Sequence, residues 1–106
     1  VTITIEEMAE QFKLLGDKTR LKIVSILYQQ EMCVCHLVEL LETTQPNMSQ
    51  HLRKLKDAGL VREERRGQWI YYSLHIEDKP HLHDVLQYLP KLSEEVQLMI
   101  NAKVCE

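Results

Sequence analysis

Cys33 and Cys35 stand one residue apart in the run Glu31-Met32-Cys33-Val34-Cys35-His36, and they are two of only three cysteines in the chain. Thiolates are soft donors that select thiophilic ions. In a regular α-helix, residues two apart point about 200° away from each other. Two such sulfurs hold one ion only if the helix starts after them or if the ion unwinds its first turn. The second route turns a ligand into a mechanical input to whatever that helix supports. The competing role is a buried core thiol, since free cysteine is among the most buried residue types.

The elements around the pair follow from apolar spacing and punctuation. Ile5, Met8, Phe12 and Leu15 have helical spacing, Gly16 ends that helix, and Asp17 can cap the next. Leu21, Ile23, Val24, Ile26, Leu27 and Tyr28 give a broad apolar face, which makes the second helix central to the core. Leu37, Val38, Leu40 and Leu41 form a third helix. Thr44 is an N-cap for a fourth, with Pro46 in the first turn, where proline is tolerated. Met48, Leu52 and Leu55 supply its core stripe, and Gly59 follows its end. Val61 to Glu64 and Trp69 to Leu74 read as strands, with Arg65-Arg66-Gly67-Gln68 as the hairpin tip. Ile76 to Leu89 and Lys91 to Val104 read as helices, separated or kinked at Pro90. Their long apolar stripe, from Leu86 to Ile100, calls for a partner, and a second copy of the chain supplies one.

The 106 residues make a single domain, ordered and mostly helical, with 44% hydrophobic residues and few glycines and prolines. No apolar run reaches the ~20 residues that cross a bilayer. An odd number of cysteines without a framework pattern, and no secretory signal, fit a reducing cytoplasm. The net charge is −3, but it is unevenly spread: Thr44 to Tyr72 carries a net +3 and the remainder −6. A local basic patch on an acidic body is compatible with docking on DNA.

The third and fourth helices, joined by Glu42-Thr43-Thr44, have the layout of a helix-turn-helix over residues of about 33–58. The outer face of the fourth helix offers Gln45, Asn47, Ser49, Gln50 and His51 to base edges. Arg53 and Lys54 are suited to phosphates, and Arg65 and Arg66 on the hairpin to phosphates or the minor groove. The hairpin at about 61–74 is then a wing, and the fold is mainly α with a small β-hairpin.

These segments resemble the ArsR/SmtB family of metal- and metalloid-sensing repressors, in its arsenic-responsive branch. The resemblance rests on Leu14-Leu15-Gly16-Asp17-Lys18-Thr19-Arg20-Leu21, Met32-Cys33-Val34-Cys35-His36-Leu37, and Gln45-Pro46-Asn47-Met48-Ser49-Gln50-His51-Leu52. Ala58-Gly59-Leu60-Val61 and Arg66-Gly67-Gln68-Trp69-Ile70-Tyr71-Tyr72-Ser73-Leu74 extend it through the wing. It implies a homodimeric winged helix that binds double-stranded operator DNA and leaves it when an inducer, As(III) or Sb(III), binds cysteine thiolates. No resident cofactor, small-molecule substrate or membrane is implied. The dimer is expected to join through helices at about 5–15 and 81–104.

The match departs from the branch at Val38, where related arsenic sensors often carry a third cysteine. Three thiolates in a pyramid suit arsenite, so Cys105 is the expected third ligand, from its own chain or its partner's. The inducer is expected to act by unwinding the first turn of the third helix. His36 is either a further donor or a solvent-facing or helix-starting residue, the second being favoured. His81, His83, Asp84 and Glu94 lie where zinc sensors of the family have a site, although the spacing of those sensors is not reproduced. Alternatives within the fold are a cadmium-, lead- or zinc-responsive repressor, or a thiol-redox sensor. An enzyme is disfavoured, because redox pairs are usually Cys-x-x-Cys on a βαβ unit and no phosphate loop or hydrolase triad is present. Sequence-indifferent DNA wrapping is disfavoured by the small patch and the acidic body.

Overall fold

The computed structural model describes residues 3–102. In chain order the elements are α1 (Ile5–Leu15), α2 (Lys18–Gln29), β1 (Met32–Cys33), α3 (Val34–Leu41), α4 (Gln45–Asp57), β2 (Val61–Arg66), β3 (Trp69–Leu74), α5 (Pro80–Leu86) and α6 (Glu94–Ala102). The strands form one antiparallel sheet in the order β1-β3-β2.

Local chemistry explains most of the boundaries. Thr4 and Glu7 form a reciprocal capping box at the start of α1. The Asp17 carboxylate accepts the Arg20 N–H at 3.0 Å and caps α2. Thr44 caps α4 by accepting the Asn47 N–H at 3.3 Å. Between α3 and α4 the chain turns at Glu42, which takes a left-handed φ of 51°. Gly67, with φ 62°, opens the two-residue loop between Arg66 and Trp69, where a primed hairpin turn needs a positive φ. Arg65 and Arg66 therefore belong to strand β2, and the tip is Gly67-Gln68.

Ile23, Val24, Ile26 and Leu27 of α2 sit at the centre of the core with Leu37 and Leu40 of α3. Met48, Leu52 and Leu55 of α4 are fully enclosed by this cluster, which fixes the roll of α4 and leaves its polar face outward. Replacing Leu52 by alanine should lower the unfolding free energy by ~2–5 kcal/mol. Denaturant unfolding followed by circular dichroism reads this directly.

The C-terminal half departs from expectation in two places. The helix expected from Ile76 starts at Pro80, because proline fits the first helical position but disfavours helix before it. The helix expected from Lys91 starts at Glu94, after Ser93 accepts the Val96 N–H at 3.2 Å. Leu86 and Ile100, expected on a dimer surface, are buried in the chain's own core. Among the described residues, the large apolar side chains left exposed are Ile5 and Phe12 of α1, Val85 of α5, Tyr88 just beyond it, and Leu98 of α6, with Tyr28 and Trp69 elsewhere.

Candidate functional site

The third helix begins between the two thiols. Cys33 is the N-cap of α3, with an extended backbone (φ −79°, ψ 157°), and Cys35 lies in the first helical turn. The 200° divergence of regular helix does not apply to this pair. Their sulfurs lie side by side, 2.6 Å apart, with both cysteines free. Bringing the two thiols together therefore requires no unwinding, which corrects the expectation that an ion must melt the first turn.

Cys33 is held in this extended state by β1, a two-residue strand that pairs Met32 with Tyr72 and Cys33 with Tyr71 of β3. Two residues are too short for a periodic signal, so β1 has no signature in the sequence. It ties the thiol pair to the wing on one side and to α3 on the other. Cys33 is buried and Cys35 exposed, so the pair is open to a ligand from the surface. Burial and the neighbouring Cys33 thiol push the Cys35 thiol up to about 11, against the backbone N–H groups of Cys35 and His36. His36 belongs to the same group: its ring nitrogen and the two sulfurs lie within 4.8 Å of one another. His36 is a helix-starting residue, in the first turn of α3, and it is half-buried beside the thiols.

A cleft of about 520 Å³ opens over the pair, and its far walls belong to α4 and the wing. Gln45, Ser49 and Arg53 line it from α4, and Trp69 and Tyr72 from β3. Burial and the adjacent Glu63 carboxylate push the Tyr72 hydroxyl up to about 12. Lys56 closes the same region by pairing with Glu63 at 2.5 Å. The thiols and part of the polar α4 face thus share one space. Trp69, Tyr72 and Lys56 were not singled out by sequence, since their meeting depends on how the wing folds over α4.

The expected DNA-facing residues divide into two groups. Gln45, Asn47, Ser49, Gln50, Arg53 and Lys54 are exposed on α4. The Asn47 amide also donates to the Thr43 hydroxyl at 2.8 Å. His51 instead turns toward the body, 3.2 Å from Arg20 and 4.0 Å from Asp17. Arg20 also donates to the Leu14 carbonyl at 2.8 Å, so His51 joins α4 to the α1–α2 corner. On the wing, Arg65 is exposed and its nearest acceptor is the Gly67 carbonyl at 3.4 Å. Arg66 binds Glu31 with two hydrogen bonds, at 2.6 and 3.0 Å, and Glu64 at 2.6 Å, and lies over the Tyr71 ring. The Arg66 guanidinium holds the Glu31 carboxyl below its usual range.

His81, His83, Asp84 and Glu94 do not gather within one chain. His81 bonds to Gln11 at 2.6 Å and meets Phe12 edge-on, His83 is exposed, and Asp84 accepts from Gln87. Cys105 lies outside the described residues.

Two packed helices with an outward polar face on the second, followed by a basic hairpin, define a winged helix-turn-helix. Among solved structures, the homodimeric winged helix-turn-helix DNA-binding domain Mb0332 of Mycobacterium bovis is 30% identical with a TM-score of 0.69, covering 78% of this chain and 77% of that one. The pattern of the family described as bacterial regulatory protein, arsR family, matches residues 17–63. Over 75 residues the chain is 41% identical to the arsenical resistance operon repressor of Bacillus subtilis, covering 70% of this chain and 71% of that protein. Over 67 residues it is 45% identical to the arsenic resistance transcriptional regulator ArsR1 of Pseudomonas putida, covering 62% of this chain and spanning only 52% of that relative's length. The chain belongs to the ArsR family of bacterial regulatory proteins.

Proposed function

We propose that this chain is a homodimeric transcriptional repressor that binds operator DNA and releases it when arsenite or antimonite is captured by Cys33 and Cys35. The observation that carries the reading is the cleft, where the converged thiols face Gln45, Ser49 and Arg53 of α4. An ion seated on the sulfurs stands between α4 and the wing. It also pulls on Cys33, whose backbone is paired with β3. Coupling needs no helix melting: moving α3 against β3 changes how α4 and the wing are presented together. Relatives named for arsenic resistance support the choice of inducer.

Arsenite binds two thiols as As(OH)₃ loses two waters, leaving one As–OH. A third thiol displaces the last hydroxyl, and Cys105 is the remaining cysteine of the chain. Cys105→Ser should weaken arsenite affinity; unchanged affinity removes it from the site.

In this reading Gln45, Asn47, Ser49 and Gln50 read bases, and Arg53, Lys54 and Arg65 hold phosphates. His51 and Arg66 act chiefly by fixing α4 and the wing, given their partners in the protein. Arg65→Ala should reduce the slope of log affinity against log salt by ~1 across all sequences. Arg66→Ala should leave that slope unchanged. Gln50→Ala should alter sequence preference instead.

Operator release by arsenite, antimonite, cadmium, zinc and diamide, compared side by side, tests the function. Arsenite and antimonite should release DNA at the lowest concentrations. Release by diamide alone would make the chain a redox sensor, and release by cadmium or zinc alone a divalent-metal sensor.

A further inference from the structure

Arg66 ends β2 at the wing tip, and a residue from outside the wing binds its guanidinium. Glu31 accepts two hydrogen bonds from it, at 2.6 and 3.0 Å, across 35 positions of sequence. Glu31 directly precedes β1 and stands two residues before Cys33. We infer that Glu31 is a positioning residue: its clamp on Arg66 couples the wing tip to the strand that carries Cys33, so that the thiol pair and the wing move together. The inference rests on the reading of the thiol pair as the sensing site, and it names the side chains through which that site reaches the wing.

The clamp closes a circuit. From Cys33 the chain runs back through Met32 to Glu31, and Glu31 holds Arg66. The Arg66 guanidinium lies 4.4 Å from the centre of the Tyr71 ring, and Tyr71 is the β3 partner of Cys33. Backbone pairing alone joins β1 to the middle of β3, at Tyr71 and Tyr72. The clamp extends that grip to the Arg66–Trp69 rung, the last before the Gly67-Gln68 turn. Two parallel bonds from a guanidinium to one carboxylate fix orientation as well as distance, so a shift of the Glu31 backbone is passed on to Arg66. Arg66 also binds Glu64, but Glu64 lies on β2 opposite Tyr71, and that contact stays within the wing. The side chains of Glu31 and Arg66 are both 41% exposed, and ion pairs so open to solvent add little to stability. What the pair supplies is geometry.

Glu31→Gln keeps the shape of the side chain and removes its charge and one acceptor. The exposure of the pair leaves the variant folded, which circular dichroism checks. Two readouts test the link, one from each end. From the thiol end, the factor by which arsenite weakens operator binding should fall in Glu31→Gln by roughly 2- to 30-fold, the range for residues that carry coupling. From the wing end, with no inducer present, operator binding should slow amide hydrogen exchange over residues 32–35 in the wild type, and by a smaller factor in Glu31→Gln. Glu64→Gln removes the Arg66 contact inside the wing and should leave both readouts as in the wild type. Operator protection of residues 32–35 that is equal in the wild type and Glu31→Gln, absent from both, or lost equally in Glu64→Gln overturns the inference. Failure of arsenite to release the wild type, with operator protection that depends on Glu31, would sink the arsenite reading alone. Release of the wild type and Glu31→Gln by the same factor would sink this inference alone.

Discussion

Cys33→Ser and Cys35→Ser variants should each bind operator as the wild type does and fail to release it with arsenite. Coupling between two sites in one protein is typically ~1–3 kcal/mol, a 5- to 150-fold change in affinity. Either substitution should bring that factor to 1. Both residues lie on the cleft wall opposite α4, so the loss is of the ligand site and not of the reading face. Cys33 is the more demanding of the two, because it is buried and caps α3, so serine there is checked for folding first. Electrophoretic mobility or fluorescence anisotropy with and without arsenite gives the result. A variant that is still released in full would remove the thiols from the mechanism.

The second large effect concerns the dimer. Phe12 of α1 meets His81 of α5, and Val85 lies one turn beyond His81. Phe12 and Val85 thus expose apolar surface on adjoining helices, at 41% and 43% of their area. The double variant Phe12→Glu/Val85→Glu should be monomeric by sedimentation at micromolar concentration. Linked binding modules gain 10²–10⁴-fold over single ones, so operator affinity should fall by about that factor. Both residues are distant from the thiols in sequence, and arsenite binding to the monomer should persist. A variant that remains dimeric would place the interface elsewhere.

Much of this site was legible because its signals are local. Thr44 and Pro46 announce α4, and Met48, Leu52 and Leu55 fix which face is buried. The Cys-x-Cys spacing singled out the thiol pair and posed the right geometric question, whether the helix begins before or after it. The answer depended on β1, a tertiary pairing of Cys33 with Tyr71 that spacing does not encode. Other differences have the same origin. Arg66 and His51 are polar residues at exposed positions of their patterns, and only the fold brings Glu31 to one and Arg20 to the other. Leu86 and Ile100 fit an apolar stripe, but periodicity does not say whether a stripe faces its own core or a partner. Pro80, a residue suited to the first helical position, marks where α5 starts, which the apolar periodicity from Ile76 does not show.

The central claim is that the thiol pair and the DNA face share one coupled structure. Linkage makes that claim measurable: the factor by which arsenite weakens operator binding must equal the factor by which operator weakens arsenite binding. Arsenite affinity measured by calorimetry on the free dimer and on the operator complex tests it most directly. The account predicts weaker binding to the complex by the same factor that arsenite imposes on DNA. Equal arsenite affinity in the two states would contradict it.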